Sequence, residues 1–445
     1  MGDLLSIGAS GVRAYQSALT TVSENIANAG TASYVRRSAK MGEITSGTGW
    51  SSGFNGMGVE VSAINRAGNA YLDTSVRSAS ADLSRTEAGT VWLERIESSL
   101  GSGALAKRMT AFFTAGTALQ ADPTSTALRA SMLSAGDSVA DSFAVTAKSL
   151  DDAMAELDSR GAQTSSDLSR INAALLKVNE GLASTRQGTS AAAGLQDQRD
   201  QLLEQMSELT DVNVQLDDVG RATVRASGPG GPVLVNARDA ATVNFTRSGG
   251  NVGLVVSGVG NGLAVMEPDG GTLAGITEGA QRIASAREQL GTIATDFTSM
   301  MNDLQSQGQD VKGVKGTDFF QKNSADPTDF SVKLASGDLI AASGGAGPRD
   351  ATNLAKLATL RVSDGYESRV QGLVTDNAAT LKQRRLVADA QGAIKDGAVT
   401  ARSEAAGVNM DSEAIDLVRF QQAYQASSRV IQVARETFQS ILEIR

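Results

Sequence analysis

Both ends of this 445-residue chain carry apolar residues at the heptad spacing of helices that pack against a partner. Neither the first 122 nor the last 97 residues contain a proline, so both ends can form long, unbroken helices. The stripes comprise Leu5, Gly8, Val12, Tyr15, Leu19, Val22 and Ile26 near the start, and Leu417, Phe420, Tyr424, Ser427, Ile431, Ala434, Phe438 and Ile441 near the end. We therefore expect two terminal helices that lie side by side as a coiled coil.

A pair of helices of about 30 residues each buries little apolar surface and is marginally stable alone. Asp411 is the expected N-cap of the C-terminal helix. The predicted outward side of this helix carries further apolar residues, namely Ile415, Val418, Val430 and Val433. From the pattern alone, these are either core residues of an ordinary bundle or contacts of an assembly. Because chain ends are commonly polar and frayed, two apolar ends favour assembly.

In the middle of the chain, the hydrophobic period changes from helical to alternating. Three of the six prolines fall within 229–268, among many glycines, and apolar residues alternate nearby, as in Val212, Val214 and Leu216. Alternation interrupted by Gly and Pro turns predicts short antiparallel strands. With helical stripes on either side, the sequence predicts a mainly α fold with an inserted small antiparallel β domain. The predicted domains are a terminal coiled coil (1–35 and 408–445), a helical rod or bundle (36–210 and 273–407) and an outer β domain (211–272).

The composition excludes several classes of chemistry. The chain has no cysteine and no histidine, so it has no disulfide, no thiolate or imidazole metal site, and no Ser-His-Asp or Cys-His catalysis. A formal net charge of −9 argues against a nucleic-acid groove. No apolar run reaches the roughly 18–20 residues that span a bilayer, and the first residues do not resemble a cleavable secretory signal. We therefore predict no enzymatic activity, no catalytic residue, no cofactor, no bound metal, no nucleic-acid partner and no membrane insertion.

Short motifs invite functional interpretations, and for each we favour a structural one. Gly49–Gly53 matches the G-x-S-x-G pattern of serine hydrolases, but the chain has no histidine to act as the base. Gly258–Gly262 lacks the lysine of a phosphate-binding loop and is interpreted as a turn. The acidic pairs at 151–152 and 217–218 lack the spacing of a calcium loop. A carbohydrate-binding or hydrolytic module on a helical stalk stays open, because a glycosidase needs only two carboxylates. The acidic residues of the insert are Asp211, Asp217, Asp218, Asp239, Glu267 and Asp269.

The stretch Leu19–Arg37 resembles a signature shared by bacterial flagellar rod, hook and hook-associated proteins. It contains Asn-Ile-Ala-Asn at 25–28, followed by Thr31 and Tyr34. It departs from the signature at 32–33, where Ala-Ser stands in place of the more frequent Pro-Gly. This departure affects the expected turn rather than the match.

Further stretches resemble the hook-associated protein 1 family within this group. Gly407–Leu442 is similar to the C-terminal helix of the family, including its Phe-Gln-Gln-Ala-Tyr-Gln core. Other similar segments are Gly58–Leu83, Leu195–Val214 and Met301–Phe320. Only the β insert, at about 215–272, has no counterpart in the resemblance.

The resemblance implies a structural protein that self-assembles through its terminal helices into the junction ring between the flagellar hook and the filament. In this family the paired helices form an inner tube, helical domains form the next layer, and the β domain faces outward. The implied partners are further copies of the chain in a ring, the hook protein, the second hook-associated junction protein and an export chaperone on the C-terminal helix. The implied location is extracellular, reached through the flagellum-specific export channel, with ends that stay disordered until assembly. Another axial protein, such as the second junction protein or a hook subunit, is the closest alternative.

The predicted assembly interface combines the terminal stripes with polar residues of the signature. Since this stretch lies in the tightly packed tube of the resembling family, Asn25 and Asn28 are candidates for hydrogen bonds between subunits, although a helix end can use one of them locally. Gln421, Gln422 and Gln425 are either polar interface contacts or solvent-exposed. The predicted interface residues are Leu5, Val12, Tyr15, Leu19, Val22, Asn25, Ile26, Asn28, Leu417, Phe420, Tyr424, Ile431, Phe438 and Ile441.

Overall fold

Long helices make up most of the chain. The computed structural model describes residues 2–31, 34–44, 57–260 and 262–443, without the side chains of residues 2–3 and 441–443. The helices are α1 Gly2–Asn28, α2 Ala70–Ser102, α3 Leu105–Ala121, α4 Thr126–Ser184, α5 Ser190–Leu209, α6 Gly271–Ser306, α7 Thr352–Asp364, α8 Tyr366–Ala406 and α9 Met410–Glu443. Over the residues that are described, no helix is both long and apolar enough to cross a membrane.

Side-chain caps mark the starts of α4 and α9. Ser125 starts the 59-residue α4, and its side chain accepts a hydrogen bond from the backbone N–H of Leu128 at 3.4 Å. A cap of this kind satisfies one of the free N–H groups at a helix start. In α9 the cap is Asn409, which accepts from the N–H of Ser412 at 3.0 Å. The expected cap, Asp411, instead lies inside the first turn, where its negative charge is favourable.

The described strands form small antiparallel sheets. β1 Arg37–Glu43 pairs with β2 Val59–Arg66, and β9 Phe320–Lys322 pairs with β10 Phe330–Val332. The insert contains β3 Val212–Leu216, β4 Ala222–Ala226 and β5 Val233–Val235 in one sheet, and β6 Thr242–Ser248, β7 Asn251–Ser257 and β8 Ala264–Met266 in another. Its predicted alternation is clear in β4, where Ala222, Val224 and Ala226 are fully buried between half-buried polar residues. The mainly α fold with an inserted antiparallel β region is therefore confirmed.

The hairpin of β1 and β2 lies in a segment that periodicity assigned to the helical rod. In β2, Val59, Val61 and Ala63 alternate with Glu60 and Ser62, but no residue of either strand is fully buried, so this short alternation is too weak to predict a strand on its own. A register shift between Lys40 and Met41 adds a bulge. The hairpin packs on α1, where the Ser10 hydroxyl accepts the backbone N–H of Val59 at 3.1 Å.

One apolar core extends from the helices into the insert. At its centre, the ring of Phe297 on α6 lies 5.5 Å from the rings of Phe112 and Phe320 and 5.7 Å from that of Tyr366, measured between centroids. Buried residues of the insert such as Val224 belong to the same core, so the insert shares its packing with the helices. Among the described residues, the core includes none from α1 or α9. The terminal helices thus lie outside the body, while the exact bounds of the three domains stay a prediction.

Candidate assembly interface

The helices α1 and α9 pack side by side in opposite directions. Near the start of α1, Gly8 lies so close to Ile431 that a Cβ at Gly8 would be 2.7 Å from Ile431 Cγ1. Near the end of α1, the Asn25 side chain reaches Glu413 in the first turn of α9. Early positions of α1 therefore face late positions of α9, as in an antiparallel pair.

Small residues form the centre of this seam. A Cβ at Gly11 would lie 2.7 Å from the Ser427 hydroxyl oxygen, and Gly8 makes the similar approach one turn earlier. Ala14 and Ala18 continue the same helix face and are 3% and 0% exposed. Because these side chains are short, the two backbones approach closely and few large side chains are buried between them.

The larger apolar residues predicted for the interface flank the seam. Val22 is buried, whereas Leu5 and Phe438 are 41% and 56% exposed. The side chain of Ile441 lies outside the described residues. The half-buried members are Val12, Tyr15, Leu19, Ile26, Leu417, Phe420, Tyr424 and Ile431, with the rings of Tyr15 and Phe420 6.4 Å apart. Most of the predicted set therefore keeps apolar surface open in the single chain.

A second apolar stripe on α9, the outward stripe (Ile415, Val418, Val430 and Val433), is exposed. These side chains are 68%, 51%, 39% and 59% exposed. The stripe extends over about 27 Å at the helical rise of about 1.5 Å per residue. Apolar residues aligned along an exposed helix are typical of a contact surface.

A cluster of polar residues, the joint (Asn25, Tyr34, Arg36, Arg37 and Glu413), lies where the terminal pair meets the body. The Asn25 side chain is 0% exposed. Its Nδ2 donates to Glu413 Oε2 at 2.9 Å and to the Arg37 carbonyl oxygen at 2.8 Å. Its Oδ1 accepts from the Arg37 N–H at 3.0 Å and from the Tyr34 hydroxyl at 2.9 Å. The amide thus uses its whole hydrogen-bonding capacity inside one subunit.

Glu413 is a buried carboxylate with a charged partner. Its side chain is 0% exposed, and Arg36 Nε donates to its Oε1 at 2.6 Å. Arg36 also pairs with Asp416 at 3.3 Å, one turn further along α9. A buried charge is tolerated only when it is paired and hydrogen-bonded, and both oxygens of Glu413 meet this condition.

The two arginines of the joint attach the terminal pair to the body. The backbone N–H of Arg36 donates to Ala406 at the end of α8, and its carbonyl oxygen accepts from the N–H of Ala67, both at 2.9 Å. Arg37 Nη2 pairs with Asp197 of α5 at 2.7 Å. The joint therefore links α1, α5, α8, α9 and the segment that leads into α2.

The Tyr34 hydroxyl is protonated at neutral pH, as the joint requires. Burial raises the pKa of the Tyr34 hydroxyl, and the Arg37 guanidinium only partly opposes this rise. That guanidinium lies 4.9 Å from the Tyr34 ring centroid, in a cation–π arrangement. The hydroxyl is therefore a donor to Asn25 at neutral pH.

The other predicted polar contacts are local or open to solvent. Asn28 Nδ2 donates to the Glu24 carbonyl oxygen at 2.8 Å, within the last turn of α1. Gln421, Gln422 and Gln425 are exposed. Asn28 thus stabilises the end of its own helix, and the exposed glutamines can contact a neighbouring subunit.

Sequence reasoning gave no partner to Arg36, Arg37 or Glu413, although all three lie in the resembling stretches. Glu413 stands four residues before Leu417, the first residue of the apolar stripe of α9. It therefore occupies the next position of that stripe toward the start of the helix. A charged residue at a seam position signals a buried partner. The sequence around Glu413 does not indicate which residue the partner is, because Arg36 lies 377 residues earlier in the chain.

The motifs with possible chemistry have structural roles where they are described. Gly49–Gly53 lies outside the described residues. Gly258 and Gly260 have φ of +99° and +68°, as turn glycines do. In the insert, Asp217 pairs with Arg221 at 2.7 Å and so holds a strand turn. Within the described part of the chain, no three Asp or Glu residues are placed to hold a metal ion.

Comparison with protein families identifies two parts of the chain. Residues 93–320, just over half of the chain, match the family described as flagellar hook-associated protein FlgK helical domain. Residues 399–444 match the family described as flagellar basal body rod FlgEFG protein C-terminal. The first match extends from α2 to β9, and the second covers the end of α8 and α9.

Individual proteins give the same result. The chain is 26% identical over 331 residues to flagellar hook-associated protein 1 of Escherichia coli, covering 72% of this chain and 60% of that protein. The Salmonella typhimurium protein is 26% identical over 336 residues, and its length is also 60% covered. The Bacillus subtilis protein is 21% identical over 484 residues, covering 96% of this chain and 95% of that protein. The chain thus spans about 60% of the first two relatives.

A solved structure supports the fold. The flagellar hook junction protein FlgK from Burkholderia pseudomallei is similar with a TM-score of 0.51 and 20% identity. The similarity covers 56% of this chain and 47% of the Burkholderia chain. At this identity the match concerns the fold alone.

Proposed function

Because this chain belongs to the FlgK family of flagellar hook-associated proteins, we propose that it forms the junction ring between the hook and the filament of a bacterial flagellum. The family is structural, and a flagellar component of this kind is exposed outside the cell. In the proposed ring, α1 and α9 of each subunit pack against the same helices of its neighbours. The predicted interface residues of both helices are then covered on two sides.

The outward stripe is the observation that carries this proposal. Four aliphatic side chains lie exposed on a helix whose other face is already occupied by α1. Fully burying an aliphatic side chain contributes about 1.5–3 kcal/mol, and these four are about half exposed, so the stripe offers about 3–6 kcal/mol per subunit before ordering costs. A second copy of the same pair is the occupant that a ring supplies.

The same surface suits the further proposed partners. In the ring, the hook protein and the second hook-associated protein contact the two ends of the terminal pair. Before assembly, an export chaperone covers the apolar residues of α9. Export of an unfolded chain suits a protein without cysteine, because no wrong disulfide can form on the way.

The alternatives have weaker support. Another axial protein would share the C-terminal match at 399–444, but the helical-domain match at 93–320 favours a hook-associated protein. Two of the carboxylates considered for a glycosidase have structural contacts instead: Asp217 pairs with Arg221 in a strand turn at 2.7 Å, and Asp211 accepts the N–H of Asp269 at 3.0 Å. We propose that the chain has no enzymatic activity; turnover of peptidoglycan by the purified protein would contradict this.

Deletion of the gene in its own host tests the proposed function. We expect cells with hooks but no filaments, release of filament subunits into the medium, and loss of swimming, because the filament has no junction on which to grow. Reintroduction of the gene restores filaments, and gold-labelled antibody marks the hook–filament boundary. Normal filaments in the deletion strain would contradict the proposal. Label along the whole hook would favour a hook subunit instead.

A further inference from the structure

One face of α4 carries a row of polar residues that contact the β insert. We call it the polar row; its members are Asp158, Ser169, Asn172 and Asn179. Their spacing in sequence places them within about 80° of one another around the helix and over about 31 Å of its length. The insert therefore contacts α4 along one continuous face.

Asn179 binds the central strand of the first sheet as a neighbouring strand would. Its Nδ2 donates to the Ala222 carbonyl oxygen at 2.8 Å, and its Oδ1 accepts the Ala222 N–H at 2.9 Å. Both residues are 0% exposed, and Ala222 is the first residue of β4. The same Nδ2 also donates to the carbonyl oxygen of Asn236, just after β5, at 3.3 Å. One buried amide of α4 thus satisfies backbone groups at two places in the insert.

The polar row continues beside the second sheet, where β6 begins. The Ser169 hydroxyl accepts the N–H of Val243 at 2.9 Å. The Asn172 Nδ2 donates to the Ala241 carbonyl oxygen, also at 2.9 Å. Both sheets of the insert are therefore attached to the same helix.

An ion pair and an aromatic contact attach the far end of β6. Arg247 donates to both carboxylate oxygens of Asp158, at 2.6 and 2.7 Å, which is a geometrically specific arrangement. The ring of Phe245 packs on Gly161 so closely that a Cβ at this glycine would overlap it. Rising residue numbers in β6 match falling numbers in α4, so the strand lies antiparallel along the helix.

The insert and the second half of α4 therefore depend on each other. Leu175 of α4 and Val243 of the insert belong to the same apolar core. Without the Asn179 amide, the N–H and carbonyl groups of Ala222 are buried without these hydrogen bonds, which makes the docked state less favourable. Separation of the insert from α4 in turn opens the shared core to water.

We propose that Asn179 is a positioning residue, and that through the polar row the insert and α4 from Asp158 onward open and close as one cooperative unit. The insert is then part of the body and not a domain that unfolds independently. This coupling goes beyond the proposed function, since it involves neither the terminal helices nor a neighbouring subunit.

Hydrogen exchange of the purified full-length chain tests the coupling through Asn179→Ala. We expect amides of β4, of β6 and of α4 between 158 and 184 to exchange about tenfold faster than in the unmodified protein, while peptides of α3 stay unchanged. Faster exchange in β4 alone, with β6 unchanged, would overturn the proposal. Unchanged exchange in all three segments would overturn it as well.

Asn353→Ala is the matched control. Asn353 is 1% exposed, and its amide also donates to two backbone carbonyl oxygens, those of Leu304 at 2.8 Å and Ala341 at 2.9 Å. The substitution removes the same chemical group from a contact outside the insert. We expect faster exchange around 304 and 341, with amides of the insert within about twofold of the unmodified protein. Equal acceleration of the insert by both variants would show general destabilisation and contradict the coupling.

Ser169→Ala provides a second test, because the insert contact of Ser169 is with Val243 at the start of β6. We expect amides of β4, in the other sheet, to exchange about threefold faster or more. Acceleration confined to β6 would contradict a cooperative unit. If Asn179→Ala also opens α3, this milder variant gives the deciding comparison.

Discussion

A chain truncated before α9, lacking residues 410–445, is expected to fold its body and to fail completely in supporting filament growth. The apolar core draws on no described residue of α9, so the free energy of unfolding of the body changes by less than about 1 kcal/mol. Assembly is lost because the truncation removes one side of the seam, the outward stripe and Glu413 together. Urea unfolding measures the first effect, and swimming in soft agar by the deletion strain measures the second.

The control for this truncation is Glu436→Gln in the full-length chain. Glu436 is an exposed residue of α9, and its substitution is expected to leave both the unfolding midpoint and swimming unchanged. Restoration of swimming by the truncated chain would show that α9 is not needed for assembly. Unfolding of the whole body by the truncation would show that α9 belongs to the core.

Replacing two outward valines is expected to weaken subunit association without affecting the single chain. Val418 and Val433 are 51% and 59% exposed, so Val418→Ser with Val433→Ser changes the unfolding free energy by about 0.5 kcal/mol or less per site. Each valine is about half exposed, so burying the rest of it in a contact contributes about 0.8–1.5 kcal/mol, which for two gives about 1.5–3 kcal/mol. Association is then weaker by a factor of about 10 to 10², measured by sedimentation over a concentration series.

Two exposed valines of the body provide the matched control. Val91 on α2 and Val145 on α4 are 46% and 50% exposed. The pair Val91→Ser with Val145→Ser removes the same chemical groups from a surface outside the terminal helices, and it is expected to associate like the unmodified protein. Equal association of the outward-stripe variant and this control would exclude the stripe as the contact.

Periodicity predicted the elements whose pattern is a local property of the sequence. The alternation at 222–226 corresponds to a strand with one fully buried face, and the terminal stripes correspond to paired helices. The hairpin of β1 and β2 was not predicted. In a strand such as Arg37–Glu43, charged residues stand among apolar ones, and every residue is half-buried or exposed. Strands supported on one side by a helix carry too weak a period to be recognised alone.

The centre of the seam was predicted only in part, through Gly8 and Ser427 of the terminal stripes, and the joint was missed. A search for large apolar residues passes over Ala14 and Ala18, although close helix packing needs small ones. The joint depends on pairs such as Arg36 and Glu413, which only the folded chain brings together. A single sequence marks a charge at a seam position but not its partner.

Hydrogen exchange of α9 in the monomer and in the assembled ring tests most directly whether the terminal helices form the contact between subunits. The seam in the single chain is built on short side chains, so we expect α9 amides to exchange readily in the monomer. Assembly covers the outward stripe, and exchange between residues 415 and 433 is predicted to slow by about tenfold or more, with α4 unchanged. Equal α9 exchange in the two states, with new protection elsewhere on the body, would contradict the account.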